Sequence, residues 1–197
     1  MKFAITSAVV LASLITLNSA QSTANGLTCT SAAFEIDLEP GLTYTPQDID
    51  AKLSASSTSC TFGETSNLKQ RGGFVEIRVN GMNRGFCGSD LTPNDKGVVG
   101  IPSFNGTAIV EGWKSEEEYN SGEDPSMKFE GPVGGKITTG GIQLEGEIKG
   151  ENKGKIIRIR GEGTSEGDKE LEDRKCKSNY GYVWMKGTLS LISVSDK

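Results

Sequence analysis

The stretch 176-CKSNYGYVWMKGTLSLISV-194 decides the fold class, because it has the pattern of one long β-strand near the end of the chain. Successive side chains of a strand point to opposite faces, so Tyr180, Tyr182 and Trp184 share one face. The other face carries Val183, Met185, Leu189 and Leu191. We expect this second face to lie in a hydrophobic core. The three aromatic residues either pack as well or present flat rings to a ligand, and the sequence leaves both alternatives open.

Alternation of apolar and polar residues recurs along the chain. Residues 34–38 and 49–55 predict a hairpin around a loop at 40–48. Further strands are predicted around residues 75–79, 107–113, 127–129, 142–148 and 157–159. Helical periodicity is limited to single turns at 48–53 and 169–174. The sequence therefore predicts an all-β fold, an antiparallel β-sandwich or barrel of about eight strands with almost no helix outside the signal peptide.

The first 20 residues have the pattern of a secretory signal peptide. Lys2 is followed by the apolar run 8-AVVLASLITL-17 and by small residues up to Ala20, and the run is too short to span a bilayer. We expect residues 1–20 to be removed, residues 21–26 to form a short flexible N-terminus, and residues 27–197 to form a single β domain. The mature protein is then expected to be secreted and extracellular.

The four cysteines remain after removal of the signal peptide. In an exported chain an even number of cysteines indicates disulfide bonds, here with three possible pairings. Cys29 and Cys60 lie symmetrically about the hairpin loop, so they face each other across the two strands. The sequence therefore predicts the pairs Cys29–Cys60 and Cys87–Cys176.

Composition excludes several classes of function. The net charge is -5 and there is no basic tract, which disfavours binding to nucleic acid or to anionic membranes. The chain has no histidine, so Ser-His-Asp catalysis and histidine-based metal sites are excluded. We expect no cofactor, no bound metal and a monomeric protein.

Two acidic features remain as candidates for chemistry. Glu111 beside Trp113, with Glu130 as a possible partner, is the one pair that suggests a carboxylate-dependent hydrolase. The alternative is a solvated glutamate next to a core tryptophan. The acidic segment 114–126 suggests calcium ligands, but it lacks the spacing of a known calcium loop and is expected to be a solvated loop.

The overall layout resembles that of small secreted disulfide-bridged β-sandwich proteins of unknown function from actinobacteria and fungi. The shared elements are the sequence 40-PGLT-43, a Ser/Thr-rich strand with Cys60, a middle Cys87, a strand with Trp113, and Cys176 before 187-GTL-189. The many Lys and Glu residues and the acidic segment depart from that pattern. The resemblance implies export and a sandwich, and it implies no catalytic residue.

The sequence thus predicts a non-catalytic secreted protein that binds a cell-surface, host or carbohydrate partner. Tyr180, Tyr182 and Trp184 are the predicted ligand-binding residues, since flat aromatic side chains stack on sugar rings or anchor interfaces. A carboxylate-dependent polysaccharide hydrolase and a structural or inhibitory secreted protein are the alternatives. The sequence 105-NGT-107 adds a predicted N-glycosylation site at Asn105.

Overall fold

The computed structural model describes residues 26–63, 70–87, 99–148, 152–163, 176–177 and 182–197, with only the backbone at 70–72, 163 and 182–184. The predicted signal peptide and residues 21–25 lie outside this part of the chain, as does the helical turn predicted at 169–174. In the described part, no helix is long and apolar enough to cross a membrane.

The described residues form nine strands and one short helix. The strands are β1 (Leu27–Cys29), β2 (Ala32–Leu42), β3 (Gln47–Phe62), β4 (Gln70–Cys87), β5 (Val99–Trp113), β6 (Met127–Thr138), β7 (Gly141–Glu147), β8 (Lys155–Gly163) and β9 (Tyr182–Asp196), and the helix is α1 (Glu116–Asn120). The all-β prediction is confirmed. The strand predicted at 49–55 lies inside β3, so the single helical turn that residues 48–53 could also have formed is not observed.

Strands β2 to β9 form a closed antiparallel barrel of eight strands. Each strand pairs with the next one along the chain, and β9 pairs with β2 to close the ring. Of the two predicted architectures, the barrel is therefore the one observed. Closure pairs the backbone groups that an open sheet leaves exposed at its edges.

Strand β1 fills the place beside β3 and β9 that β2 does not reach. Leu27 pairs with Phe62 of β3 and with Val194 of β9. Hydrogen bonds from β3 bridge the interruption between β1 and β2. In one of them, the Ser57 hydroxyl donates to the carbonyl of Ser31. Strands β1 and β2 thus act as one interrupted strand of the wall.

The structure contains both predicted disulfides. The paired residue numbers of β3 with β1 and with β2 add up to the same value, 89, as in Cys29 with Cys60 and Ala33 with Ser56. The two cysteines are therefore direct neighbours across the ladder, with a Cα–Cα distance of 4.1 Å. The Cys87–Cys176 bond joins the end of β4 to the segment that precedes β9.

Aliphatic side chains fill the interior of the barrel. Fully buried members of this core include Ile36, Ile49, Ile77, Val110, Ile157 and Ile159. The predicted core face of β9 is confirmed for Met185 and Leu189, which are 6% and 0% exposed. It is wrong for Leu191, because Ser190 is an extra residue opposite β8 and shifts the alternation to Ile192 and Val194.

Candidate functional site

Helix α1 lies in the acidic segment that was expected to be a solvated loop. Ser115 caps the helix by accepting a hydrogen bond from the backbone N–H of Glu118 at 3.3 Å. The Glu118 carboxylate in turn accepts from the N–H of Lys114 at 2.9 Å. The Ser-x-x-Glu spacing at 115–118 is the sequence signature of such a start, so the signal for α1 was present in the sequence.

Three aromatic rings hold α1 against the outer wall of the barrel. Tyr119 stacks on Phe74 with a centroid distance of 4.2 Å and meets the edge of Trp113 at 5.0 Å. Trp113 also donates from Nε1 to the carbonyl of Glu123 at 2.8 Å. Trp113 is buried as expected, at 6% exposure, but it packs in this cluster on the outer wall and not with the side chains that fill the barrel interior.

A groove runs beside α1 along the outer wall. Its floor consists of the small exposed residues Ala33, Ser54 and Ser56 on β2 and β3. Tyr119 forms one side, and Lys186 of β9 lies on the opposite side. The groove is open to solvent and has a volume of about 710 Å³.

The charges around the groove are mixed but mainly acidic. Glu35, Glu76 and Glu116 line it together with the single basic side chain Lys186. Glu35 and Lys186 are directly opposite each other in the β2–β9 register. Carboxylates accept hydrogen bonds from a ligand, and the adjacent hydroxyl groups both donate and accept. The groove is thus equipped to bind a polar, hydroxyl-rich ligand.

Tyr119 gives the groove an aromatic surface that is only partly covered. Its side chain is 36% exposed, although two other aromatic rings fix its position. A ring held in this way loses little conformational entropy when a ligand stacks on it. Sequence reasoning missed Tyr119, because the residue lies in a segment assigned to a loop.

Two residues of the predicted aromatic row, Tyr182 and Trp184, lie on β9, where only their backbone is described. The backbone of Tyr182 pairs with Leu42 and that of Trp184 pairs with Asp37, while Tyr180 lies outside the described residues. The side chains at 182 and 184 also lie outside the described part, so their exposure stays a prediction. The backbone of Trp184 is two residues from Lys186, which lines the groove.

The carboxylate pair has a different arrangement from the one predicted. Glu111 is only 8% exposed, and its carboxylate forms ion pairs with Arg78 of β4 and with Lys128 of β6, the latter at 2.9 Å. Glu130 pairs in register with Ile109. The expectation that Glu111 is solvated is wrong, since it is buried and links three neighbouring strands.

A second depression lies between β6 and β7. The paired register between these strands ends at Gly134 and Glu145. The backbones stay close beyond it, since a Cβ atom at Gly146 would lie 1.8 Å from the carbonyl oxygen of Pro132. Asn105, Pro132, Glu147 and Lys153 line this depression, and Val133 and Ile148 beneath it are buried in the core. The depression has a volume of about 690 Å³.

Comparison with known proteins adds no relative. The chain matches no known protein family, no curated protein and no solved structure. Within the described residues, no three His, Cys, Asp or Glu side chains are grouped closely enough to hold a metal ion. The geometry of the groove is therefore what indicates a function.

Proposed function

We propose that this protein is a secreted, non-catalytic binding protein whose groove beside α1 binds a carbohydrate chain on a cell or host surface. The observation that carries the proposal is Tyr119, a partly exposed ring fixed by Phe74 and Trp113 at the side of an open groove. The small residues Ser54 and Ser56 leave room for a flat ligand on the floor.

The chemistry of a sugar ring matches that of the groove. The C–H face of a pyranose stacks on an aromatic ring, and its hydroxyl groups donate to carboxylates such as Glu35 and Glu76. Three carboxylates around the groove repel anionic polysaccharides. Neutral sugars and amino sugars are therefore the expected ligands.

Export is supported by two observations. The first 20 residues have the signal-peptide pattern, and the domain contains two disulfide bonds. Disulfides persist in oxidising compartments outside the cytosol. A surface carbohydrate is then a ligand that the mature protein meets.

The test is binding of the mature protein to an array of neutral, basic and acidic glycans. Tyr119→Ala is expected to weaken binding about ten-fold or more through the loss of stacking. Tyr119→Phe keeps the ring and is expected to retain most of the affinity. Equal binding by the Tyr119→Ala protein and the unmodified protein contradicts the proposal.

Blocking the floor of the groove provides an independent check. Ser54→Trp fills the floor without touching the aromatic cluster and is expected to abolish glycan binding. Gln143→Trp places the same side chain at an exposed position on β7, on the opposite side of the barrel, and is expected to have no effect. The same array tests the aromatic row through Trp184→Ala, which is expected to weaken binding if the row extends the groove.

The non-catalytic part of the proposal has its own test. Incubation with neutral polysaccharides is expected to release no shorter products. Cleavage that disappears in Glu111→Gln, in a protein that remains folded, overturns this part and favours the hydrolase. A stoichiometric complex with a protein and no glycan binding instead favours the inhibitory or structural alternative.

A further inference from the structure

We propose that a third depression of the outer wall, over β6, β7 and β8, binds a sugar residue that carries one negative charge, as a uronic acid or a sulfated sugar does. The depression is centred on β7, which lies across the barrel from β3 on the floor of the α1 groove. This inference adds a second binding site with a different charge preference, and it does not rest on the proposed function.

Glycines at the turn between β6 and β7 create the depression. Thr138 pairs with Gly141 across the turn, and its hydroxyl donates to the carbonyl of Gly141 at 3.1 Å. Gly141 has a φ of +142°, and a Cβ atom there would lie 2.6 Å from the carbonyl oxygen of Gly161. Because Gly140 and Gly141 carry no side chains, bare backbone forms the floor. The depression above it is open to solvent and has a volume of about 310 Å³.

Three polar side chains from neighbouring strands border this floor. Lys136 of β6 pairs in register with Gln143 of β7, and Gln143 pairs with Arg160 of β8. All three are exposed and line the depression. Adjacent strands lie about 4.8 Å apart, so the backbones of the two cationic residues are only about 10 Å apart. Both side chains are long enough to reach one anionic group above Gln143.

The two cations of the depression are available to an external anion. Arg158, on the same strand as Arg160, forms an ion pair with Glu145 of β7 at 3.1 Å. Within the described ranges of the chain, neither Lys136 nor Arg160 forms such a pair. An anionic ligand therefore binds them without first breaking an ion pair of the protein.

The remaining side chains match the hydroxyl groups of a sugar ring. Glu162 lines the depression beyond Arg160, and its carboxylate accepts hydrogen bonds from hydroxyls. The Gln143 amide both donates and accepts, and the Arg160 guanidinium presents parallel N–H donors to a carboxylate or a sulfate group. Two positive side chains and one negative side chain leave one positive charge in excess. A sugar with a single negative charge balances it.

The charge of this depression separates its ligands from those of the α1 groove. Three carboxylates and one lysine line the groove, whereas two cations and one carboxylate line the depression. Acidic sugars that the groove repels are therefore attracted to the depression. The two sides of the barrel then recognise different sugars.

NMR titration of the isotope-labelled mature protein tests the site. The probes are trigalacturonic acid, a sulfated galactose trisaccharide and the neutral galactose trisaccharide. At low salt, an anionic probe is expected to shift the backbone amide signals of Gln143 and Arg160 with a dissociation constant of about 1 mM, because exposed ion pairs are individually weak. The neutral probe is expected to bind at least about ten-fold more weakly. The anionic probe that binds more tightly identifies the charged group of the ligand.

Variants of the two bordering strands locate the binding. Arg160→Gln is expected to weaken binding of the anionic probe about five-fold or more. Gln143→Glu keeps the size of the side chain but places a carboxylate between the two cations, and it is expected to abolish this binding. Arg84→Gln is the matched control, since it changes the net charge equally at an exposed position on β4, across the barrel from β8. Ser54→Trp, which fills the α1 groove, is expected to leave the affinity unchanged.

Glu162→Gln distinguishes a sugar site from a positively charged surface. The substitution removes a negative charge, so it is expected to strengthen the binding of acetate. It also removes a strong acceptor for sugar hydroxyls. The ratio of the trisaccharide affinity to the acetate affinity is therefore expected to fall about five-fold.

Three results overturn the proposal. The first is the absence of shifts at Gln143 and Arg160 with either anionic trisaccharide at about 10 mM. The second is an equal effect of Arg160→Gln and Arg84→Gln, which indicates attraction to the net charge alone. The third is acetate binding as tight as that of the trisaccharide, which means an adventitious ion only. Binding at the α1 groove is measured with neutral and amino sugars, so the two proposals fail separately.

Discussion

Removal of each disulfide separately is expected to destabilise the protein by different amounts. The bonds close loops with sequence separations of 31 for Cys29–Cys60 and 89 for Cys87–Cys176. The chain-entropy treatment assigns to them about 3.7 and about 4.6 kcal/mol of stabilisation, respectively. The two loops do not overlap along the chain, so the contributions are independent.

The stability losses of the two variants can be compared directly, because the two disulfides have similar environments in the folded protein. All four cysteines are at most 4% exposed, so replacement by alanine removes a similar amount of buried surface in each case. The double variants Cys29→Ala/Cys60→Ala and Cys87→Ala/Cys176→Ala are compared by equilibrium urea unfolding. Both are expected to unfold at lower urea concentration, and the second is expected to be less stable than the first by about 1 kcal/mol.

The opposite order refutes this reasoning. Cys29 and Cys60 are direct neighbours across the ladder. A larger loss of stability on removing the Cys29–Cys60 bond therefore indicates that this bond stabilises the folded barrel directly. The slope of the free energy with urea is expected to rise in both variants, because the unfolded chain expands. Glycan binding at the α1 groove is expected to survive in the folded Cys87→Ala/Cys176→Ala protein, since Cys87 lies at the far end of β4 from the groove.

The remaining predictions concern single side chains. Glu111→Gln removes two ion pairs with half-exposed partners and is expected to lower the free energy of unfolding, measured by urea titration, by about 1–2 kcal/mol. The control Glu130→Gln changes an exposed side chain and is expected to lower it by less than about 0.5 kcal/mol. Equal losses of stability in the two variants contradict a stabilising role for the buried carboxylate. Ser115→Ala removes the cap of α1 and is expected to lower the free energy of unfolding by about 1 kcal/mol and to weaken glycan binding. If neither stability nor glycan affinity changes, α1 does not form a wall of the groove. Gly146→Ala places a Cβ 1.8 Å from a backbone oxygen of β6 and is expected to lower the melting temperature, while Gly140→Ala, with its nearest contact at 3.7 Å, serves as the control and is expected to have little effect.

Local patterns in the sequence predicted the hairpin and the Cys29–Cys60 disulfide, and Cys87–Cys176 followed as the remaining pair. The alternation from Phe34 to Leu38 and its return from Ile49 defined a centre of symmetry, and Cys29 and Cys60 are placed about the same centre. The sequence did not distinguish a closed barrel from a sandwich, because closure depends on pairing between β2 and β9. That contact joins residues from the two ends of the domain and has no local signature.

The candidate site was largely missed for the same reason. The groove combines side chains from β2, β3, β4, β9 and α1, and no short motif connects them. Helix α1 is too short to show a helical period, although Ser115 and Glu118 carried the signal of its start. The outward direction of Phe74 and Trp113 was also hidden, because aromatic residues are expected in the core.

The order of the strands around the barrel has a consequence for biogenesis. Every ladder of the ring except β2–β9 joins strands that leave a ribosome or export channel one after the other. The wall can therefore grow during synthesis, but it stays open until β9 has emerged. Cys60 is synthesised 31 residues after its partner Cys29, whereas Cys176 is synthesised 89 residues after its partner Cys87. During that interval the Cys87 thiol has no native disulfide partner.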